Sequence, residues 1–291
     1  FETVWVGGSL DIVAAAPASS SRVGRPNRKP WNRSAPTPSS VSIAFDPRTL
    51  TERLAGAEML ERVIYEDKRL LVINKPSGVA VHGGSGISHG VIELLRHARP
   101  DLSDLGLVHR IDRETSGCLV MAKRRSALRE LHERFREGSV EKNYLALVAG
   151  DWQYGDQLID VPLLVHNRKG GERHVVVSAK GKEARTQVAL SRTYGVCSLL
   201  QCAPETGRTH QIRVHLQHTG HPILGDDRYG DEEANSQARR LGLKRLFLHA
   251  QSIAFADESG NELHFTAPLA DDLEHFLKTG VVAAQRQKKK F

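Results

Sequence analysis

Four short segments carry side chains able to do chemistry together: Asn74-Lys75-Pro76-Ser77-Gly78, His109-Arg110-Ile111-Asp112-Arg113-Glu114-Thr115-Ser116-Gly117, Lys142-Asn143-Tyr144, and Gly207-Arg208-Thr209-His210-Gln211-Ile212-Arg213-Val214-His215. The second sets one carboxylate, Asp112, between Arg110 and Arg113, just ahead of a Thr-Ser-Gly turn that can donate backbone and hydroxyl hydrogen bonds. A carboxylate held rigidly and kept ionised by cations can act as nucleophile or base. The same letters also spell a surface Arg–Asp ion pair, which is common and contributes little. In the fourth segment Gly207-Arg208-Thr209 is expected to open a helix whose free N–H groups face an anion-attracting region beside Arg208. His210 and Arg213, three residues apart, share one side of that helix. Such a face suits phosphate and can supply Asp112 with a cation. An amphipathic helix with Ile212, Val214 and Leu216 inward and its polar residues merely solvated fits the same pattern.

The elements around these segments follow from periodicity. Arg62 to Tyr65 and Leu70 to Asn74 are short apolar runs separated by Glu66-Asp67-Lys68, which reads as strand, turn, strand. Ser88 stands at an N-cap position before the helical pattern Val91 to Arg96. Leu105 to Asp112 and Gly117 to Ala122 read as two strands joined by a tight turn, which places Asp112 at a strand end. Ala127 to Phe135 has helical spacing. Strands are expected over Lys142 to Val148, Val175 to Val177, Ala184 to Leu190, Cys197 to Cys202 and Leu246 to Ala250, and helices over Gln211 to Leu216 and Asp271 to Leu277. Many strands joined by short links pair antiparallel, so the expected class is α+β, with a mixed, largely antiparallel sheet and flanking helices.

Composition narrows the field. The chain has 291 residues with a formal net charge of +7, a balance that favours a polyanionic partner. Cys118, Cys197 and Cys202 lack the second pair of ligands a zinc site needs and are expected to be buried or neutral thiols. No apolar run approaches a membrane span, and no secretory signal opens the chain, so no membrane partner and a cytoplasmic location are expected. Residues 1–60 are rich in Ala, Ser, Pro and Arg without apolar period and are expected to be a mobile basic leader. Within it Arg22, Arg25, Arg28, Lys29 and Arg33 can make loose phosphate contacts. Residues 61–280 carry the folded pattern, and 281–291 form a basic tail.

Taken together, the four segments resemble the RluA-type family of pseudouridine synthases. The family signature His-Arg-Leu-Asp-x-x-Thr-Ser-Gly stands at residues 109–117 with Ile111 in place of Leu, and its Gly-Arg-Thr-His-Gln-Ile-Arg motif stands at 207–213 letter for letter. The Asn-Lys-Pro-Ser-Gly segment, the Lys-x-Tyr element and Leu246-Phe247-Leu248-His249-Ala250 occur in the family's order. Val81 to Gly86 followed by Gly90 to Glu93 is most similar to the branch that acts on large-subunit ribosomal RNA, which points to 23S rRNA rather than tRNA. Members of that branch begin with a small basic S4-type RNA-binding domain. The first 60 residues here do not resemble one, so that domain is missing, truncated or replaced.

The resemblance implies a mechanism. The reaction breaks the N1–C1′ bond of a uridine, turns the uracil, joins C5 to C1′ and removes the C5 proton. Nothing is oxidised and no group is added, so neither metal nor organic cofactor is called for. Asp112 takes the place of the catalytic Asp, as nucleophile or as base at C2′, and Arg213 pairs with it. Tyr144 matches the Tyr that stacks on the uracil and is a candidate for handling the C5 proton. The target base must leave its stack, and Arg110 matches the Arg that fills the vacated place. Arg113, Arg208 and His210 complete the expected RNA-binding set. The expected partner is 23S rRNA, naked or within an assembly intermediate, acted on by a monomer. Three rivals are weighed. A synthase acting on tRNA shares every motif. A metal hydrolase built on His82, His89, His109 or His210 lacks any recognised ligand spacing. A non-catalytic RNA-binding module gives no reason for Asp112, Tyr144 and Arg213 to occur together.

Overall fold

The computed structural model describes residues 47–84, 89–167, 173–282 and 284. Its main sheet runs in the order β1 (Val63–Glu66), β2 (Leu70–Lys75), β4 (Ser116–Ala122), β11 (Leu248–Ala256), β5 (Glu141–Ala149), β10 (Cys197–Pro204), β9 (Arg185–Thr193) and β6 (Gln157–Asp160). The two-residue strand β3 (Gly106–Leu107) adds to β4, and β12 (Glu262–Thr266) adds to β11. A separate ribbon is made by β7 (Leu163–Asn167) and β8 (Arg173–Val177). These pairings are antiparallel except that of β4 with β11, which run parallel with His249 opposite Ser116 and Ala250 opposite Gly117. The mixed, largely antiparallel α+β architecture expected from the sequence is the one observed.

The middle of the sheet is covered on both faces, and strand alternation sorts the side chains between them. On one face Leu71 and Ile73 of β2 and Leu119 and Met121 of β4 pack on Val91, Ile92 and Leu95 of α2 (Val91–Ala98), together with Met59 of α1 (Pro47–Leu60). On the other, Leu70, Val72, Cys118 and Val120 pack on Ala127 and Leu131 of α3 (Arg125–Glu137) and on Phe255 and Phe265. A third cluster joins Leu145 and Leu147 of β5 to Ile212 and Leu216 of α4 (Gln211–His218) and to Leu273 and Phe276 of α6 (Asp271–Lys278). Each such side chain, fully withdrawn from water, contributes about 1.5–3 kcal/mol. Tyr144 touches both the α2-side cluster and the α4-side cluster, so it marks the seam between them.

Several expectations are corrected. Only Gly106 and Leu107 of the run 105–112 form a strand, and Asp112 lies in a loop. The edge of β4 that this run would have paired is taken instead by the His109 ring, which receives the Val120 N–H. The fourth segment does not open the helix at Gly207: α4 begins at Gln211, which closes a turn over Thr209 and His210 by donating its N–H to the Arg208 carbonyl while its side chain accepts the Arg208 N–H. Nor is α4 one-sided, since all six residues from Gln211 to Leu216 are buried. The α2 cap is Gly90, with Glu93 accepting its N–H and that of Gly83, while Ser88 lies outside the described residues. The domain limits also move. Met59 of α1 is in the core, and so are Val281 and Ala284, so the folded unit extends past both ends of 61–280. Residues 1–46 and 285–291, with the leader's arginines, lie outside the described residues. Among the described residues no helix is long and apolar enough to cross a membrane.

Candidate active site

The loop that carries Asp112 is fastened through its main chain. Lys75, fully buried at the end of β2, aims Nζ at three carbonyl oxygens: those of Pro76 and Val79, both at 2.7 Å, and of Arg113 at 3.0 Å. The Arg113 carbonyl also accepts the Gly78 N–H at 2.9 Å, and the Ser77 hydroxyl donates to the Glu114 carbonyl at 2.6 Å. Burial pushes the Lys75 pKa down to about 7 against the opposing pull of the Glu114 and Asp112 charges. His109 holds the other end of the loop, accepting the Val120 N–H on Nε2 at 3.0 Å and stacking on Phe135 at 5.1 Å. Because Nε2 accepts, and burial pushes the His109 pKa down to about 3, the ring is neutral with its hydrogen on Nδ1. Gly117 takes φ +115°, and a Cβ there would stand 2.1 Å from the Ala250 carbonyl oxygen. Only glycine lets β4 approach β11 so closely. The register then sets Gly117, Ala250 and Tyr144 in one row across β4, β11 and β5.

Arg213 is set by side chains instead. Gln211 accepts the Arg208 N–H at 3.0 Å and the Thr206 hydroxyl at 2.7 Å, and donates to the Arg185 carbonyl at 2.8 Å and to Thr186 Oγ1 at 3.0 Å. His210, just ahead of α4, has φ 54°, the one non-glycine residue in the left-handed region among the described residues. The Tyr229 hydroxyl accepts the Val175 N–H at 3.0 Å and forms a hydrogen bond with His210 Nδ1 at 2.8 Å. The other ring nitrogen, Nε2, stands 4.0 Å from Asp112 Oδ2. Burial pushes the His210 pKa down to about 4, so at neutral pH the ring beside the carboxylate is uncharged. The Arg213 side chain, 8% exposed, grips Asp226: its Nε and Nη2 meet the two Asp226 oxygens at 2.7 and 2.8 Å. Only Nη1 faces Asp112, at 3.5 Å from Oδ2. Burial raises the Asp226 pKa, but Arg213 and the N–H groups of Tyr229 and Arg228 outweigh it and leave the carboxyl below its ordinary value.

Between these two walls lies a cavity of about 270 Å³. Arg110, Asp112, Lys142, Tyr144, His210 and Arg213 line it, with Val108, Ile111, Phe135, Pro204, Ile212 and Leu248 as its apolar surface. Apolar walls with a few converging polar groups suit a flat organic ligand. The Tyr144 pKa is pushed above its ordinary value, first by burial and then by the Asp112 charge, so the phenol is neutral. Among the described residues no group of His, Cys, Asp and Glu is arranged to hold a metal ion.

Of the residues picked from sequence, Asp112, Tyr144, Arg213, Arg110, Arg208 and His210 share this cavity. Arg113 does not line it: its exposed side chain pairs with Glu114 at 2.7 Å, and only its carbonyl serves the loop. Sequence reasoning passes over Asp226 and Tyr229. Their signal is Gly225-Asp226-Asp227-Arg228-Tyr229-Gly230, a polar run bracketed by glycines, but no spacing rule says which Asp meets Arg213.

A model of the RNA pseudouridylate synthase family matches residues 69–218. The chain is 51% identical to the ribosomal large subunit pseudouridine synthase C of Haemophilus ducreyi over 234 residues, covering 80% of this chain and 72% of that one. It is 50% identical to the protein of the same name from Escherichia coli K12 over 225 residues, covering 76% and 70%. Among solved structures, human RNA pseudouridylate synthase domain containing 4 superposes with a TM-score of 0.66 at 26% identity, covering 79% of this chain and 96% of that one.

Proposed function

The chain belongs to the RNA pseudouridylate synthase family, and on that premise we propose that it isomerises specific uridines of 23S ribosomal RNA with Asp112 as the reacting carboxylate. The relatives that are 50–51% identical to it over 225–234 residues are named for the large ribosomal subunit, which supports that substrate. One observation carries the site assignment: Asp112 stands in an apolar-walled cavity with Tyr144 beside it and Arg213 and His210 aimed at its Oδ2.

The chemistry then follows from the walls. A uridine flipped into the cavity leaves water, and its ring packs against Tyr144. Asp112 meets the ribose at C1′ or C2′ and carries the charge that breaks the N1–C1′ bond. The freed uracil turns while the cavity holds it, C5 joins C1′, the C5 hydrogen leaves and N1 gains one, so the product is an isomer of the substrate. Tyr144 is a neutral phenol that can take the C5 proton only while giving up its own, so it packs on the uracil and serves that step as a relay, not as a resting base. Arg110, exposed beside the cavity, presents a flat guanidinium that can stack in the gap left by the base. Arg208 and the basic surface of the chain hold phosphates.

The test is incubation with a 23S rRNA transcript in EDTA, followed by mapping of pseudouridines. Modification at discrete sites is expected, and none with Asp112→Asn. Modification of tRNA with no reaction on 23S rRNA would replace the proposed substrate.

A further inference from the structure

The reacting carboxylate is loosely held. Asp112 is 21% exposed, and the cation nearest it stands at 3.5 Å through a single nitrogen. The reason lies one residue further out. Asp226, 1% exposed, takes the Nε–Nη2 edge of Arg213, the edge that forms the strongest carboxylate pairs. It also accepts the Arg228 N–H at 2.9 Å and the Tyr229 N–H at 3.0 Å, so both its oxygens are occupied.

The Asp226 turn is itself clamped. Asn235, buried in α5 (Glu232–Arg240), donates to the Asp226 carbonyl at 2.9 Å and accepts the Gly225 N–H at 2.7 Å. Gly225 takes φ +77°, where a Cβ would stand 2.1 Å from the Arg245 carbonyl oxygen, so the turn cannot shift toward Arg245. The Tyr229 ring lies 5.0 Å from the Arg213 guanidinium carbon and adds a second restraint. Arg213 is thus fixed from behind, and its charge is shared with a carboxylate nearer than Asp112.

We propose that Asp226 is a positioning residue of the isomerisation: it holds Arg213 back, so that the cation orients Asp112 without closing on it as a bidentate pair. Without Asp226, an almost fully buried guanidinium has one carboxylate left within reach and closes on it. A carboxylate chelated on both oxygens must break that pair before it can reach the ribose. The proposal rests on Asp112 being the reacting carboxylate.

A double-mutant cycle on the full chain tests it, with single-turnover rates and RNA dissociation constants on the 23S transcript. Asp226→Asn is expected to slow turnover about 100-fold, the scale of a misplaced catalytic contact, with RNA affinity within roughly threefold because phosphate contacts are untouched. In an Arg213→Gln background, Asp226→Asn is expected to cost less than about twofold more, because the restrained cation is already gone. The same further loss in both backgrounds, or normal turnover in the single variant, overturns the proposal. If Asp226→Asn fails to fold, the double variant, which removes both charges of the buried Arg213–Asp226 pair, decides. Its folding and matching the Arg213→Gln rate supports the proposal, and its failure to fold where Arg213→Gln folds makes Asp226 structural only. Activity surviving in Asp112→Asn would instead break the assignment of the site.

Discussion

On the β4 side of the cavity the stretch that follows Asp112 is held through its main chain, by Lys75 on the Arg113 carbonyl and Ser77 on the Glu114 carbonyl, and the His109 ring on the Val120 N–H pins the end before it. On the α4 side the holding runs through side chains, with Asp226 on the Arg213 guanidinium, Tyr229 on the His210 ring and Gln211 on the helix entry. The consequence is an asymmetry of freedom. The Asp112 backbone is fixed while its carboxylate keeps both oxygens nearly free, and the Arg213 head group is fixed while supplying only one long contact. A group that must form and break bonds is anchored behind its Cα, and a group that must only exert a field is anchored at its tip. That division agrees with a site whose donors are set before the substrate arrives.

The largest break in this comparison is at the free carboxylate. Asp112→Asn keeps shape and removes charge, so turnover is expected to vanish while RNA affinity stays within roughly threefold. Near-normal single-turnover rates in that variant would end the distinction between the two walls.

Breaking the main-chain side comes next. Lys75→Met leaves the carbonyls of Pro76, Val79 and Arg113 without their shared donor. It is expected to lower stability by about 3 kcal/mol in urea unfolding, and turnover with it. A variant as stable as the parent would show that the loop is held elsewhere. On the side-chain wall, Tyr229→Phe keeps the ring under Arg213 but strands the Val175 N–H and frees His210 Nδ1. The expected loss is about 1–2 kcal/mol, with a smaller drop in turnover than Asp226→Asn.

Acid should sharpen the comparison, because each wall holds a neutral histidine. His109 and His210 have folded pKa values of about 3 and about 4, against an ordinary 6.5. As the pH falls through that ordinary value the unfolded chain takes up protons and the folded one does not. Stability present above about pH 6.5 is therefore lost as the pH falls toward these lower values. Thermal melting from neutral pH downward is expected to show the loss, and His109→Gln, whose amide oxygen can take the Val120 N–H, to flatten it. The smallest effect concerns neither wall. We expect removal of residues 1–46, basic and rich in Ser and Pro, to leave turnover at saturating RNA unchanged and to weaken binding chiefly at low salt. An inactive truncated enzyme would make those residues part of the site.

The motif residues are legible because chemistry limits their type: an Asp between arginines before a Thr-Ser-Gly turn has few bland explanations once Tyr144 and Arg213 accompany it. The core strands are legible from their period. What escapes depends on the third dimension. The Asp226–Arg213 pair joins a turn to a helix across the fold, and no periodicity announces it. Helix α5 reads Glu-Glu-Ala-Asn-Ser-Gln-Ala-Arg-Arg and buries only Asn235 and Ala238, so it shows no apolar stripe. The apolar letters of 105–112 suggest a strand, but a histidine ring occupies the edge that a strand would need.

The one parallel seam in the main sheet has a consequence for how the protein is made. Strand β11 sits between β4 and β5, yet in the chain it follows β6 through β10 and both α4 and α5. While the nascent chain leaves the ribosome, the Ser116–Gly117 end of β4 and the facing edge of β5 wait for their partner until residues 248–256 emerge as β11 to fill the gap. Such late, long-range closure is slow and exposes strand edges to wrong partners. It also means that the row Gly117–Ala250–Tyr144 does not exist in any shorter nascent chain. The site is therefore assembled by a strand that the chain reaches only after β10, α4 and α5 have been made.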